Sequence, residues 1–170
     1  MVILGIDPGY AIVGYGVVDF SGGKYKPLEY GAIVTKAGEN FPRRLEIIAD
    51  ALDSVIAKHP IDAVSIEKLY FQNNQKTAIQ VAEARGVILL CCQRAGLEVF
   101  EYTPLQVKSA VTGYGQAQKP QVMEMTRRLL CLKEVPKPDD TADALALTIC
   151  HGQAAGSLLR RRMMTGGTFR

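Results

Sequence analysis

Tryptophan is absent from the chain, and histidine occurs only as His59 and His151. The four cysteines, Cys91, Cys92, Cys131 and Cys150, form no C-x-x-C pair. Without clustered thiolate and imidazole, a zinc site is not expected. Cys91 and Cys92 fall next to each other in a helical pattern and point apart, which argues against a bond between them. All four read as small buried apolar residues. No apolar run approaches the roughly 18 residues that a membrane span needs. The opening Val2–Ile6 is too short for a signal-peptide core, and Asp7 closes it at once. A cytoplasmic location is the expectation. An excess of one charge is also missing: 20 Lys and Arg stand against 17 Asp and Glu, a net +3. That balance permits a polyanionic partner without arguing for one.

What is present fits a globular fold. The 170 residues are 48% hydrophobic and 22% charged, enough for one core and far from a disordered composition. Val2–Ile6 reads as a buried strand with Asp7 at its end. Ile12–Phe20 and Tyr25–Thr35 follow as strands around a Gly22-Gly23 hairpin turn. A helix starts near Pro42, with Phe41, Leu45, Ile48, Leu52 and Ile56 at helical spacing. Ala63–Glu67 is a short strand, Asn73-Asn74 a turn, and Gln75–Arg94 a long helix with apolar residues on more than one side. Such a helix is expected to be covered by the core on one side and by a partner subunit on another. Leu97–Tyr102 is a fifth strand. Helices at Pro104–Thr112, Pro120–Leu132 and Thr141–Ala154 complete the chain, with a flexible polar loop Gly113–Lys119 between the first two. The order predicts an α/β domain over 1–154. It has a mixed five-stranded sheet, three antiparallel strands plus two parallel ones, and helices on both faces. Residues 155–170 form a basic tail with Arg160, Arg161, Arg162 and Arg170, expected to be disordered.

Four carboxylates carry the chemistry. Asp7 and Glu67 each end a strand expected near the sheet centre, and open α/β sheets bind ligands beyond the C-terminal strand ends. Asp140 and Asp143 are three apart at the start of the last helix and share a face. Four acids at one point repel unless a cation lies among them. An all-oxygen set favours Mg²⁺, with Mn²⁺ as a substitute. Two such ions, about 3.5–4 Å apart, can activate a water and stabilise a departing oxygen at phosphorus. Each acid alone has a plainer reading. Asp7-Pro8-Gly9 fits a strand-end turn, and Glu67 a surface strand end. Asp140 fits a helix N-cap, with Asp143 closing a capping box. Asp143 resists the plain reading most, because it stands among Ala142, Ala144, Leu145 and Ala146, where a lone carboxylate is costly.

The residues Ile3-Leu4-Gly5-Ile6-Asp7-Pro8-Gly9, Gly14-Tyr15-Gly16, Ile66-Glu67, Ala84-Arg85-Gly86, Gln106-Val107-Lys108, Lys119 with Gln121-Val122, and Asp140-Thr141-Ala142-Asp143-Ala144-Leu145-Ala146 together resemble the RuvC family of Holliday junction resolvases. The match runs in order from Val2 to His151. The resemblance implies a ribonuclease H-like fold and a homodimer that resolves four-way DNA junctions by paired symmetric nicks in recombination and repair. It places Asp7, Glu67, Asp140 and Asp143 on four metal-ligand positions holding one or two Mg²⁺. Some members carry His where this chain has Asp140. The branch-migration complex of RuvA and RuvB is the implied protein partner. By the same resemblance Lys108 and Lys119 lie near the scissile phosphate, where a Lys offers a point charge and three donors. Lys119 there neutralises charge that develops in the transition state. Tyr70 takes the position of an aromatic that stacks at the junction centre, and Arg85 lies near the dimer seam or on DNA. The Gly86 beside it weakens a helix, which makes sense where another backbone comes close.

Three other readings stand beside this one. A phosphotransferase of the actin and sugar-kinase type shares the opening Gly5–Gly9 pattern but needs a second such domain, and this chain has no second copy. A noncatalytic junction-binding module would lack the carboxylates. A ribonuclease H-like nuclease acting on RNA or hybrids would share them.

Overall fold

Gly22 and Gly23 take φ values of 57° and 78°, the left-handed pair that a two-residue hairpin turn requires. In the computed structural model, which describes residues 1–69 and 75–164, this turn joins β2 (Ile12–Ser21) to β3 (Lys24–Val34). β1 (Val2–Asp7) precedes them. Then come α1 (Phe41–Lys58), β4 (Ala63–Glu67), α2 (Gln75–Arg94), β5 (Val99–Tyr102), α3 (Pro104–Thr112), α4 (Lys119–Leu129) and α5 (Asp139–Met164). The sheet order is β3-β2-β1-β4-β5. β1 pairs antiparallel with β2 and parallel with β4, and β4 pairs parallel with β5. A helix between each successive pair of parallel strands supplies the crossover that parallel pairing needs. The expected three antiparallel and two further parallel strands are therefore present, and Ile3, Leu4, Ile6, Ala63, Val64 and Ile66 are buried as central strands require.

Each face of the sheet has its own core. On one, Leu4, Ile6, Val13, Val17, Val64 and Ile66 pack against Ile48, Leu52 and Val55 of α1 and Ala84, Ile88, Cys91 and Cys92 of α2. On the other lies α5, with α3 and α4 packed outside it. This helix is covered by sheet and helices together, which explains why Ala142, Ala144, Leu145, Ala146, Leu147, Ile149 and Cys150 are buried all round it. Ser65 donates to the Leu147 carbonyl at 2.8 Å and Tyr25 to the Ile149 carbonyl at 3.1 Å, pinning the helix to β4 and β3.

Five details differ from the sequence reading. α4 takes in Lys119, expected in the loop, and ends at Leu129 instead of Leu132, because the chain leaves helical geometry at Leu130. α5 begins at Asp139 and runs to Met164 instead of ending near Ala154, so the tail thought to be disordered is helical up to that point. β5 starts at Val99, two residues later than expected. The buried stripe of α1 is Arg44, Ile48, Leu52 and Val55, rotated from the expected Phe41–Ile56 stripe so that an arginine lies inside. Cys131 is exposed, whereas the other three cysteines are buried as expected. It has φ 53° where the chain reverses after α4, and so turns its side chain away from the core.

Candidate active site

β1 and β4 run side by side in the register Ile6↔Ile66, so the next residues, Asp7 and Glu67, leave the sheet together at its C-terminal edge. Along β1 the side chains alternate, which sends Gly5 and Asp7 to the face where α5 lies. The helix comes unusually close there because the strands offer glycine at the contact points. A Cβ on Gly5 would overlap the Ala144 carbonyl oxygen and stand 2.7 Å from Thr148 Cγ2. A Cβ on Gly14, the ladder partner of Asp7, would overlap the Asp140 carbonyl. A Cβ on Gly16 would meet Leu145 Cδ2 at 2.6 Å. These three notches seat the first turns of α5 directly on β1 and β2, and so bring Asp140 and Asp143 to Asp7. The sequence reading quoted these glycines within motifs but missed their role; the signal was there in Gly14 and Gly16, two apart on one strand face, with Gly5 the ladder partner of Gly16.

The electrostatics show that the four acids share one environment. The Asp7 carboxyl is pushed up to about 8, by burial first and then by the negative charges of Glu67, Asp143 and Asp140. Glu67 is also raised, through burial and then Asp143, while Lys119 and Lys108 oppose the shift. Lys119, the first residue of α4, reaches across to Asp143 at 2.9 Å and Asp139 at 3.5 Å. Burial works against its charge, but the hydrogen bond to Asp143 and the charges of Asp143 and Asp139 outweigh it and hold the ammonium above its ordinary range. Asp139 is thus an acid at the site that the sequence reading did not single out. The alternative roles for Asp140 and Asp143 find no support in the geometry. α5 already includes Asp139, so Asp140 lies inside the first turn instead of at the cap position.

Among the described residues, no three His, Cys, Asp or Glu side chains close tightly enough to cage an ion as they stand. The donor chemistry nonetheless fits a hard divalent cation. The group offers carboxylate oxygens alone, and its innermost member is pushed up to about 8 by burial and by the negative charge of the other three. Lys108, half-buried in α3, is close enough to act on Glu67. Arg85 lies elsewhere: it pairs with Glu101 of β5 and leaves its Nε buried without a partner. Tyr70 falls outside the described residues.

A family model described as crossover junction endodeoxyribonuclease RuvC matches residues 3–151. The chain belongs to the RuvC family. A crossover junction endodeoxyribonuclease RuvC of Clostridioides difficile (strain 630) is 53% identical over 154 residues, 91% of either chain. The solved RuvC structure from Thermus thermophilus superposes with a TM-score of 0.86 at 36% identity, covering 92% of this chain and 96% of that one. The T. thermophilus RuvC in complex with Holliday junction substrate gives 0.85 at 34% identity over the same shares. The fold is the ribonuclease H-like arrangement that the resemblance implied.

Proposed function

We propose that this RuvC-family protein is a metal-dependent endodeoxyribonuclease that resolves four-way DNA junctions, cutting two strands of like polarity by phosphodiester hydrolysis. The convergence of Asp7, Glu67, Asp140 and Asp143 on one sheet edge, with Lys119 and Lys108 beside them, carries the proposal. The T. thermophilus relative seen with a junction supplies the substrate class.

The acids would hold one or two Mg²⁺, or Mn²⁺ in its place, which when bound supply positive charge at phosphorus and favour attack by water. The chain's own groups do the rest. The carboxylates fix the site at the end of a rigid sheet. Lys119 stands on an exposed helix start, free to exchange its Asp139 contact for a non-bridging phosphate oxygen and to offset charge gathered there as the P–O bond breaks. Lys108 adds a second positive charge on the Glu67 side, and Tyr70 is the stacking aromatic that the resemblance implies, whereas Arg85, held by Glu101 of β5, lies away from the acids. RuvA and RuvB are the protein partners implied in the same way, and a DNA substrate fits a cytoplasmic location. No helix among the described residues is long and apolar enough to cross a membrane.

A homodimer is part of the proposal. Ile79, Ala82, Gly86 and Leu90 follow one another along one face of α2 and are all exposed, Ile79 by 70% and Leu90 by 48%. A Cβ on Gly86 would meet nothing within 4 Å, so its own subunit does not require glycine. A second copy of α2 approaching there would bury this apolar stripe and carry two sites into one assembly.

The test is cleavage of a mobile four-way junction, with Mg²⁺ and with chelator, beside linear duplex and an RNA–DNA hybrid. Paired nicks on the junction alone, lost with chelator, are expected. Cutting of the hybrid instead would make the chain a different ribonuclease H-like nuclease, and binding without cutting would reduce it to a junction-binding module.

A further inference from the structure

Arg44 sits in the first turn of α1 and is only 8% exposed. That placement carries two costs. A helix N-terminus presents unpaired N–H groups and partial positive charge, which disfavour a cation. A buried charge also needs a partner, yet among the described residues no carboxylate forms an ion pair with it. Two neutral groups hold it instead. Arg44 Nε donates to Thr35 Oγ1 at 2.7 Å, and the guanidinium lies 4.6 Å from the centroid of the Tyr10 ring.

Thr35 passes this grip onward. Its Oγ1 donates to the Tyr10 carbonyl at 2.7 Å, and its backbone N–H to the Ala11 carbonyl at 3.0 Å. A hydroxyl has one proton, so the direction is fixed: Arg44 gives to Thr35, and Thr35 gives to Tyr10. Tyr10 also meets Phe41 of α1, with ring centroids 6.1 Å apart. What is clamped is the turn Pro8–Ala11, which begins at the residue after Asp7. The turn is already tight, since a Cβ on Gly9 would overlap the Ile12 carbonyl oxygen.

We propose that Arg44 and Thr35 are positioning residues for the nuclease reaction: they fix the turn after β1 and thereby aim the Asp7 carboxylate into the acid cluster. The inference rests on the nuclease reading above. A misplacement of about 1 Å at a reacting group costs on the order of 100-fold in rate, which makes a clamp on this turn worth the burial of a cation.

The experiment compares the parent with Thr35→Val, Thr35→Ser, Arg44→Met and Arg44→Lys. Four quantities are read: single-turnover junction cleavage, junction affinity in chelator, Mn²⁺ binding by calorimetry, and Tm. Thr35→Val and Arg44→Met should slow cleavage by about 10- to 100-fold and weaken Mn²⁺ binding, with junction affinity held within about threefold. Thr35→Ser, which keeps the hydroxyl, should recover the parental rate and Mn²⁺ affinity; Arg44→Lys, which keeps a donor but not the planar stack, should fall between. Parental cleavage and Mn²⁺ affinity in Thr35→Val would overturn the inference. So would a loss of junction affinity in Arg44→Met alone, which would make Arg44 a DNA contact, or a rate loss that follows Tm with Mn²⁺ affinity unchanged. If the parent does not cut junctions, the nuclease reading falls, and the Mn²⁺ affinities of Thr35→Val and Thr35→Ser still decide whether the clamp shapes the site.

Discussion

α5 and α2 look alike as sequence: both are long, and both carry apolar residues on more than one side. The fold treats them in opposite ways. α5 is enclosed by its own chain, with β1 and β2 on one side and α3 and α4 on the other. α2 buries Ala84, Ile88, Cys91 and Cys92 against the sheet and leaves Ile79, Gly86 and Leu90 facing outward. An apolar helix surface therefore marks burial without saying which molecule does the burying. Glycine separates the two cases. Around α5 the glycines belong to the strands, at positions where the helix backbone already lies against them. On α2 the glycine belongs to the helix itself, and a Cβ there would meet nothing within 4 Å among the described residues.

The largest effect should come at the acid end of α5. Asp7→Asn is expected to lower junction cleavage by about 1,000-fold or more, the scale of losing several kcal/mol of metal-borne stabilisation, with junction affinity retained in a gel-shift measurement. Cutting at the parental rate in Mg²⁺ would remove Asp7 from the site. Next is the glycine contrast. Gly14→Ala must displace the Asp140 backbone, and should destabilise by about 3 kcal/mol or more, or prevent folding, as overpacking against backbone does at its upper range. Gly86→Ala, with open space around it, should raise monomer stability by up to about 1 kcal/mol. Urea unfolding of both variants measures the comparison directly, and equal losses would end it.

Ile79→Asp addresses the open face. Dimer affinity in sedimentation should fall by about tenfold or more, the loss of one well-buried apolar contact at an interface. Unfolding of the dilute monomer should change by no more than about 0.5 kcal/mol. A parental dimer would show that α2 is not the seam. The smallest effect concerns pH. The Asp7 carboxyl has an ordinary value of 3.8 and a folded value of about 8. Between those values the folded, metal-free protein keeps a proton that the unfolded chain has released, so stability falls as pH rises through this window. Asp7→Asn removes the penalty. In chelator its Tm should match the parent's below pH 4 and exceed it by a margin that widens up to pH 8, and adding Mg²⁺ should narrow the gap. A variant less stable than the parent at pH 8 would contradict the assigned shift.

The strands, the hairpin and the four acids were legible because their signals are local. Alternation and a glycine pair define β2 and β3 without reference to anything distant, and Asp7 and Glu67 announce themselves by ending apolar runs. Asp140 was ambiguous for the same reason, since a helix start looks alike whether its acid caps the helix or serves a site; what sets it beside Asp7 is the arrival of β1 and β2 beneath it. Arg44 was missed because a charge within a helical stripe reads as solvent-facing, and Thr35, the residue that accepts from it, lies on another element. The length of α5 was misjudged because Gly156 and the arginine run read as an ending.

The notches at Gly5 and Gly14 have a consequence for how this sequence can change. At most core positions a larger side chain meets another side chain, and a second substitution can make room. At these two the obstacle is a main-chain carbonyl of α5, which no second substitution can shrink. In a library randomised at every position and selected for folded protein alone, Gly5 and Gly14 should come back unchanged, while Asp7, proposed as a metal ligand, drifts freely.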